Sequence, residues 1–238
     1  MYAYIYFENR IGVSIDELEG ALPAGAWPNY VFGNHDETRL ASRFGPEAAR
    51  VLAMLLLSLR GTPTIYYGDE LGFLEAEIPF EDQQDPWGIN VPGLGRDGCR
   101  TPMQWDASPL AGFSSEAAAR PWLPLTPDWA ERNVENQLAE PSSMLNLHRA
   151  LLEYRNQSVP LQSGDYRAFD APDGCYLFAR SDAQQQVLVA LNFTDHDLEV
   201  PISGPGIFAL STDLVRAAQA VEGTIMLRGN EGIIIEMA

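Results

Sequence analysis

Lysine is absent from this sequence of 238 residues, and cysteine and histidine are scarce, with two and three copies. The 15 basic residues are all arginine and face 33 acidic ones, so the formal net charge is −18 at pH 7. A field of this sign repels phosphate backbones and anionic lipid, which argues against nucleic acid as a partner. Cys99 and Cys175 are too few for a disulfide scaffold and lack the pairwise spacing of a zinc site, although a single bridge between them stays open.

Long apolar runs are also missing. The longest, residues 51–59, is nine residues and contains Ser58, whereas a bilayer span needs roughly 20 residues. Residues 1–7 have neither a basic flank nor a small-residue cleavage pattern, so they do not predict a signal peptide. We therefore expect no membrane association and a cytoplasmic location. The apolar fraction of 46% is enough for a sizeable core and excludes a disordered or collagen-like chain.

Residues 29–67 have the pattern of a strand, a helix and a second strand. The aromatic and β-branched run 29–33 and the similar run 64–67 both end in polar residues, as buried strands that lead into site loops do. Between them, Pro46 at a first-turn position opens a predicted helix over 47–60. This order predicts a parallel βαβ unit with polar side chains gathered at the carboxyl ends of its strands.

Two further helices and one long loop are predicted around this unit. A Ser-x-x-Glu pattern makes Ser14 the predicted N-cap of a short helix over 14–22. Residues 73–141 are loop-rich and contain four of the five tryptophans, and loops of this length usually have a function. Apolar residues at helical spacing then predict a helix over 142–154.

Short strands with turn signals dominate the rest of the chain. They are predicted over 176–180, 187–193, 198–202 and 232–236. These strands predict a small antiparallel β-sandwich. We accordingly predict an α/β domain over residues 1–157 and a β-sandwich domain over residues 158–238.

Asn34, His35 and Asp36 stand together where the first predicted strand ends. An amide, an imidazole and a carboxylate in this position are able to hold vicinal hydroxyls through charge-assisted hydrogen bonds. The alternative is structural, with a capping aspartate and a histidine satisfied by its neighbours. These three residues by themselves do not decide between the two interpretations.

Three longer motifs extend this pattern in order along the chain. They are NHDETR at 34–39, LRGTPTIYYGDELG at 59–72 and GRDGCRTPMQWD at 95–106. Together they resemble the α-glucosidase and oligo-1,6-glucosidase branch of the α-amylase family, glycoside hydrolase family 13. The resemblance implies a (β/α)8 TIM barrel followed by a small antiparallel β-sandwich domain. This chain is similar to the C-terminal part of that fold, which comprises strands seven and eight of the barrel, the last helices, a long site loop and the sandwich.

The resemblance also implies roles for individual residues. His35 and Asp36 match the pair that holds the 2- and 3-hydroxyls of the glucosyl ring at the cleaved bond, with Asp36 as the catalytic transition-state stabiliser. Arg96 matches an arginine that reaches the non-reducing end of the same sugar. Hydrogen bonds to the 2-hydroxyl strengthen in the oxocarbenium-like transition state of glycosidases. No metal and no cofactor are implied.

Other polar residues in or near these motifs have either a binding role or a structural role. Asn34 is a further candidate for substrate binding. Arg39 is a candidate for the pocket entrance, and a surface salt bridge is its alternative. Asp69 and Glu70 follow the second strand, but the resemblance indicates that such carboxylates brace loops rather than attack sugar. Asp85, next to Pro86, is interpreted as a turn residue.

Two carboxyls needed for retaining hydrolysis are not found in this sequence. The family places its nucleophile and its acid/base glutamate after the fourth and fifth strands, and neither segment occurs here. We therefore expect a retaining α-glucosidase acting on α-linked gluco-oligosaccharides that is inactive as the isolated chain, completed by an N-terminal half or a second copy that covers the open barrel edge. The alternatives are a non-catalytic sugar-binding protein and an inert fragment. The sequence does not decide the linkage preference. It also does not decide whether the reaction is hydrolysis, transglucosylation or isomerisation.

Overall fold

The computed structural model describes residues 2–4, 11–114 and 120–238, with residues 2–4 and 11–14 described by their backbone. The helices are α1 Ile11–Ala21, α2 Leu40–Phe44, α3 Pro46–Ser58, α4 Pro86–Asn90, α5 Val134–Ala139, α6 Met144–Gln157 and α7 Val159–Ser163. The strands are β1 Tyr2–Tyr4, β2 Asn29–Val31, β3 Thr62–Thr64, β4 Asp165–Phe169, β5 Cys175–Ser181, β6 Gln186–Asn192, β7 Leu198–Pro201, β8 Gly206–Ser211, β9 Ala220–Val221, β10 Thr224–Leu227 and β11 Gly232–Met237.

The chain divides into two compact units. The first unit comprises residues 1–32, 47–64 and 147–238, and the second comprises residues 33–46 and 65–146. The sequence-predicted domains, 1–157 and 158–238, stay a prediction. No helix within the described ranges is long and apolar enough to cross a membrane.

A three-stranded parallel sheet lies in the first unit, with β2 between β1 and β3. Tyr30 of β2 is in register with Ala3 on one side and Pro63 on the other. The prediction of two strands was incomplete, because β1 adds a third, and the strand expected over 64–67 is instead β3, which ends at Thr64. Strands of three residues carry little periodicity, and proline, which cannot donate to a sheet, hid β3 from the sequence pattern.

The helix predictions differ from the structure mainly at the ends. α3 occupies most of the predicted range and buries nine of its 13 residues, as its alanine- and leucine-rich sequence leads one to expect. α1 begins at Ile11, so the prediction that Ser14 caps this helix was wrong. A capping pattern inside a longer helical segment indicates that a helix is present more reliably than where it starts.

Two buried arginines hold the end of α3 and the turn into β3. Arg155 donates from Nη1 to the carbonyl oxygen of Leu57 and from Nη2 to that of Gly61, at 2.7 Å each. Arg180 donates from Nη1 to the carbonyl oxygen of Ser58 at 2.9 Å. The last carbonyl groups of a helix have no partner within the helix and carry partial negative charge. Both guanidinium groups therefore satisfy these carbonyls and fix the point where β3 starts.

The rest of the first unit is rich in antiparallel strands. Six of them form a sheet in the order β4-β5-β6-β11-β8-β9, and β10 pairs with β7 in a second sheet. One apolar core takes residues from both sheets: Leu177, Ala179, Leu188, Ala190, Phe208, Ile233 and Ile235 from the first, and Val200, Ile225 and Leu227 from the second. Short runs bounded by turn signals predicted β5, β6, β7 and β11 within about one residue of their ends, whereas β4, β8, β9 and β10 were missed.

Candidate functional site

The loop that follows β2 begins the candidate site, which lies entirely in the second unit. Gly33 packs so closely against the carboxyl group of Asp69 that a Cβ at this position would overlap it. Asn34 then accepts a hydrogen bond at its Oδ1 from the backbone N–H of Asp36, at 2.7 Å. This Asx turn, a tight turn closed by an asparagine side chain, is a structural role and fixes the backbone that presents the next two side chains.

His35 and Asp36 point towards solvent next to each other. Their side chains are 67% and 49% exposed, and His35 Nε2 lies 3.4 Å from Asp36 Oδ2. An imidazole nitrogen beside a carboxylate oxygen offers a donor and an acceptor at the spacing of neighbouring hydroxyl groups. The pair is therefore placed to bind a polyol.

Two arginines hold the other oxygen of the Asp36 carboxylate. Arg96 donates to Oδ1 from Nη1 at 2.8 Å, and Arg100 donates to the same oxygen from Nη2 at 3.1 Å. Arg100 also donates from Nε to the backbone carbonyl of His35 at 2.8 Å. Both guanidinium groups thus occupy Oδ1 and leave Oδ2 on the side of His35. The structure brings together Asn34, His35, Asp36 and Arg96, and their binding of substrate stays a prediction.

Arg39 is placed differently from the sequence expectation. It is 1% exposed, so the alternative of a surface salt bridge was wrong. Its guanidinium lies over the rings of Tyr66, Tyr67 and Phe73, and its Nη1 donates to the carbonyl oxygen of Tyr67. Aromatic faces attract a cation, which explains why this charge is buried. A contact between Arg39 and substrate stays a prediction.

Arg100 and Asp85 were not among the candidate residues. Arg100 belongs to the same motif as Arg96 and follows it by four residues, which is the signal that was available. Asp85 is 3% exposed and accepts hydrogen bonds from the Arg96 side chain at both carboxylate oxygens. No local pattern distinguishes it from an ordinary turn aspartate, because the arginine it binds lies 11 residues further along the chain.

Asp69 and Glu70 have carboxyl groups in a poorly solvated environment. Burial raises the pKa of Asp69 to about 7, against the opposing effect of Arg39. Burial also raises the pKa of Glu70, which accepts a hydrogen bond at Oε2 from the backbone N–H of Gly68 at 2.7 Å. Perturbed carboxyls occur both in active sites and in structural networks. The contact with Gly68 lies within the same turn, and the bracing role expected of Glu70 stays a prediction.

A cavity of about 490 Å³ opens beside Arg100. Its wall includes Glu70 and three aromatic side chains that are half or more exposed: Trp105, Phe113 and Trp122. Exposed aromatic surface of this kind marks a site that binds a ligand or another protein surface. Within the described ranges, no group of three or more His, Cys, Asp or Glu side chains is arranged to hold a metal ion.

Comparison with known proteins places these features in a family. The model of the family described as "Alpha amylase, catalytic domain" matches residues 6–164. A probable alpha-glucosidase from Rhizobium meliloti (strain 1021) is 39% identical over 194 residues, which is 78% of this chain and 34% of that protein. An oligo-1,6-glucosidase from Parageobacillus thermoglucosidasius is 33% identical over 206 residues, which is 75% of this chain and 35% of that protein.

Solved structures agree with this result. The trehalulose synthase MutB from Pseudomonas mesoacidophila MX-45 superposes with a TM-score of 0.83 at 27% identity, covering 95% of this chain and 46% of that one. The chain thus spans about a third of the length of the curated relatives it matches. Its fold is derived from a TIM barrel and includes a β-rich region. The chain belongs to the alpha-amylase family, glycoside hydrolase family 13.

Proposed function

We propose that this chain is part of a retaining α-glucosidase that hydrolyses α-glucosidic bonds in gluco-oligosaccharides. The single observation that carries the proposal is the Asp36 carboxylate, which is held at one oxygen by two guanidinium groups and exposed beside His35 at the other. The membership in the family and the α-glucosidase relatives support it. In this proposal the chain supplies one wall of the glucose pocket.

The two exposed groups bind the sugar and stabilise its transition state. His35 and the free Oδ2 of Asp36 hydrogen-bond the 2- and 3-hydroxyls of the glucosyl ring, and Arg96 lies towards its non-reducing end. As the bond to the leaving group breaks, positive charge develops on the ring, and the negative charge of Asp36 stabilises it. A carboxylate that is already oriented by Arg96 and Arg100 does not need to reorganise during the reaction.

Retaining hydrolysis needs two more carboxyl groups, about 5–5.5 Å apart, one as nucleophile and one as acid and base. We propose that residues outside these 238 supply them and complete a (β/α)8 barrel, of which this chain forms the C-terminal part with a β-sandwich domain. Within the described part of the chain, β1 and β3 each have one edge that pairs with no strand. Parallel sheets are normally buried and extended by neighbours, so an N-terminal half or a second copy is the expected partner.

The test replaces the matching segment of the Rhizobium meliloti relative with this chain and measures hydrolysis of p-nitrophenyl α-glucoside. We expect turnover by the chimera, no turnover by the isolated chain, and a loss of about 100- to 1,000-fold in the chimera with Asp36→Asn, since one preorganised group in a site contributes this much. A folded chimera that is inactive, or that is insensitive to Asp36→Asn, would contradict the proposal. So would rapid hydrolysis by the isolated chain.

Transfer of the glucosyl group, rather than hydrolysis, is a second candidate. It is favoured by the similarity to a trehalulose synthase at a TM-score of 0.83. Both reactions use the same glucosyl pocket and differ in the molecule that accepts the sugar. Product analysis with maltose, isomaltose and sucrose as substrates separates hydrolysis from transfer and isomerisation, and also gives the linkage preference.

A non-catalytic sugar-binding protein and an inert fragment give different results in a titration of the isolated chain with maltose or acarbose. Binding without turnover in the chimera supports a sugar-binding protein, and absence of both binding and turnover supports an inert fragment.

The cytoplasmic location is part of the same proposal. It is supported by Cys99 and Cys175, which are both free thiols, as is usual in reducing compartments.

A further inference from the structure

We infer that Asp85 is the positioning residue of this site: it anchors Arg96 and through Arg96 orients the carboxylate of Asp36. The inference rests on the proposed function and deepens it: Asp85 binds Arg96, and Arg96 in turn binds Asp36. The inference gives Asp85 a role in the reaction, whereas the sequence alone indicates only a turn residue.

The contact between Asp85 and Arg96 is bidentate. Arg96 donates from Nε to Oδ2 at 2.8 Å and from Nη2 to Oδ1 at 2.9 Å. Two parallel hydrogen bonds between a planar guanidinium and a planar carboxylate fix orientation as well as distance. The remaining nitrogen of the Arg96 guanidinium, Nη1, donates to Oδ1 of Asp36 at 2.8 Å.

Asp85 is itself held rigidly. Its Oδ2 accepts the backbone N–H of Arg96 at 2.9 Å, and its Oδ1 accepts that of Trp87 at 3.2 Å. Its own backbone N–H donates to Oδ2 of Asp97 at 2.9 Å. The Trp87 ring lies 5.2 Å from the guanidinium carbon of Arg96 and covers one face of it. A side chain with this many fixed contacts is suited to hold another residue in place.

Charge explains why an aspartate is needed at this position. Hydrogen bonds from the Arg96 side chain hold the pKa of Asp85 well below its usual range, in spite of the burial of the carboxyl group. The hydrogen bonds that Arg96 donates to Asp85 likewise raise the pKa of Arg96. The pair therefore stays charged at every pH at which a glycosidase of this kind works. Replacing Asp85 by Asn removes the charge and leaves one acceptor oxygen for the two donors of the Arg96 side chain and the two backbone N–H groups, so Arg96 loses its fixed orientation.

Asp85 is also the N-cap of the short helix α4 through its bond to Trp87. A purely structural role of this kind predicts lower stability but no specific effect on Arg96 or Asp36. Asp82 provides a matched control, because it lies on the same loop and pairs with the exposed Arg120. The experiment compares Asp85→Asn with Asp82→Asn.

The first measurement uses NMR spectra of the 238-residue chain. At neutral pH we expect the Nε–H signal of Arg96 to be protected from exchange, and Asp85→Asn to shift or broaden it. The same variant is expected to move the carboxyl carbon signal of Asp36, while Asp82→Asn leaves both signals unchanged. Asp36→Asn should leave the Nε–H signal in place, since Nε bonds to Asp85. An Arg96 signal that is indifferent to Asp85→Asn would overturn the inference.

The second measurement is a double-mutant cycle in the active chimera. We expect Asp85→Asn to lower kcat/KM by about 10- to 100-fold, the size of effect that a small displacement of a catalytic group produces. In the background of Arg96→Ala, the same change should alter kcat/KM by less than about 3-fold, because residues that act through one another are not additive. Equal losses in both backgrounds would contradict the positioning role. An inactive parent chimera refutes the proposed function, and the NMR result then decides the Asp85 inference alone.

Discussion

Nη2 of Arg100 lies 3.1 Å from Oδ1 of Asp36. The same arginine reaches the backbone carbonyl of His35 through Nε at 2.8 Å. One guanidinium therefore fixes both the carboxylate and the loop that presents it. Because the geometry of an arginine fork is planar and rigid, a point charge on a flexible stem cannot replace it.

Arg100→Lys is expected to lower kcat/KM of the active chimera by about 10-fold, and Arg100→Met by about 100-fold, since the lysine keeps the charge and loses the two-point contact. Steady-state kinetics with p-nitrophenyl α-glucoside provides the measurement. If Arg100→Met is as active as the parent, the carboxylate of Asp36 is held by Arg96 alone.

His35→Ala separates function from stability. The side chain is 67% exposed, so we expect the free energy of unfolding to change by less than about 0.5 kcal/mol. Activity of the chimera should fall by at least about 10-fold, because a donor to a sugar hydroxyl is lost. Urea denaturation and kinetics on the same preparation test both halves. A stability loss that matches the activity loss would indicate a structural histidine instead.

Asp69 makes stability depend on pH. Its pKa is raised by burial to about 7 in the folded chain, against an ordinary value of about 3.9 in an unfolded one. Between these values the folded state binds more protons than the unfolded state, so the contribution of Asp69 to stability is fully present below about pH 4 and is lost as the pH rises through about 7. The loss is on the order of 4 kcal/mol.

The measurement is a series of urea unfolding curves at different pH for the parent and for Asp69→Asn. Only the difference between the two curves reports Asp69, because other carboxyls titrate in both. A difference that does not vary with pH would show that Asp69 is ionised in the folded state throughout this range.

Arg180→Met tests the buried cations that hold the turn into β3. Arg180 is fully buried, and burial lowers its pKa to about 10. Its loss leaves the carbonyl oxygens of Ser58 and Gly164 without this donor, which is expected to destabilise the chain by about 2 kcal/mol. The matched control is Arg167→Met, an exposed arginine on β4. Equal unfolding free energies for the two variants would mean that the cost of burying the Arg180 charge offsets its hydrogen bonds.

Local sequence determined a large part of this protein. The apolar run of α3 and the short, continuous apolar runs of β5, β6 and β11 specify elements locally, because such runs bounded by turn residues indicate buried elements. The triplet from Asn34 to Asp36 is compatible with a site for vicinal hydroxyls, and the longer motifs around it favour that interpretation. Its motif partner Arg96 was identified by resemblance, and the structure places the two within hydrogen-bonding distance.

Only the tertiary structure decided which residues support that site. Arg100 reaches Asp36 across 64 residues of chain, and Asp85 binds Arg96, which lies 11 residues further along. Arg39, for which a surface salt bridge was the alternative, is buried against aromatic rings. Strands as short as β1 and β3 exist because neighbouring backbone groups pair with them. Hydrogen bonds, ion pairs and burial between distant segments depend on where the whole chain folds, and no local pattern of residues contains that information.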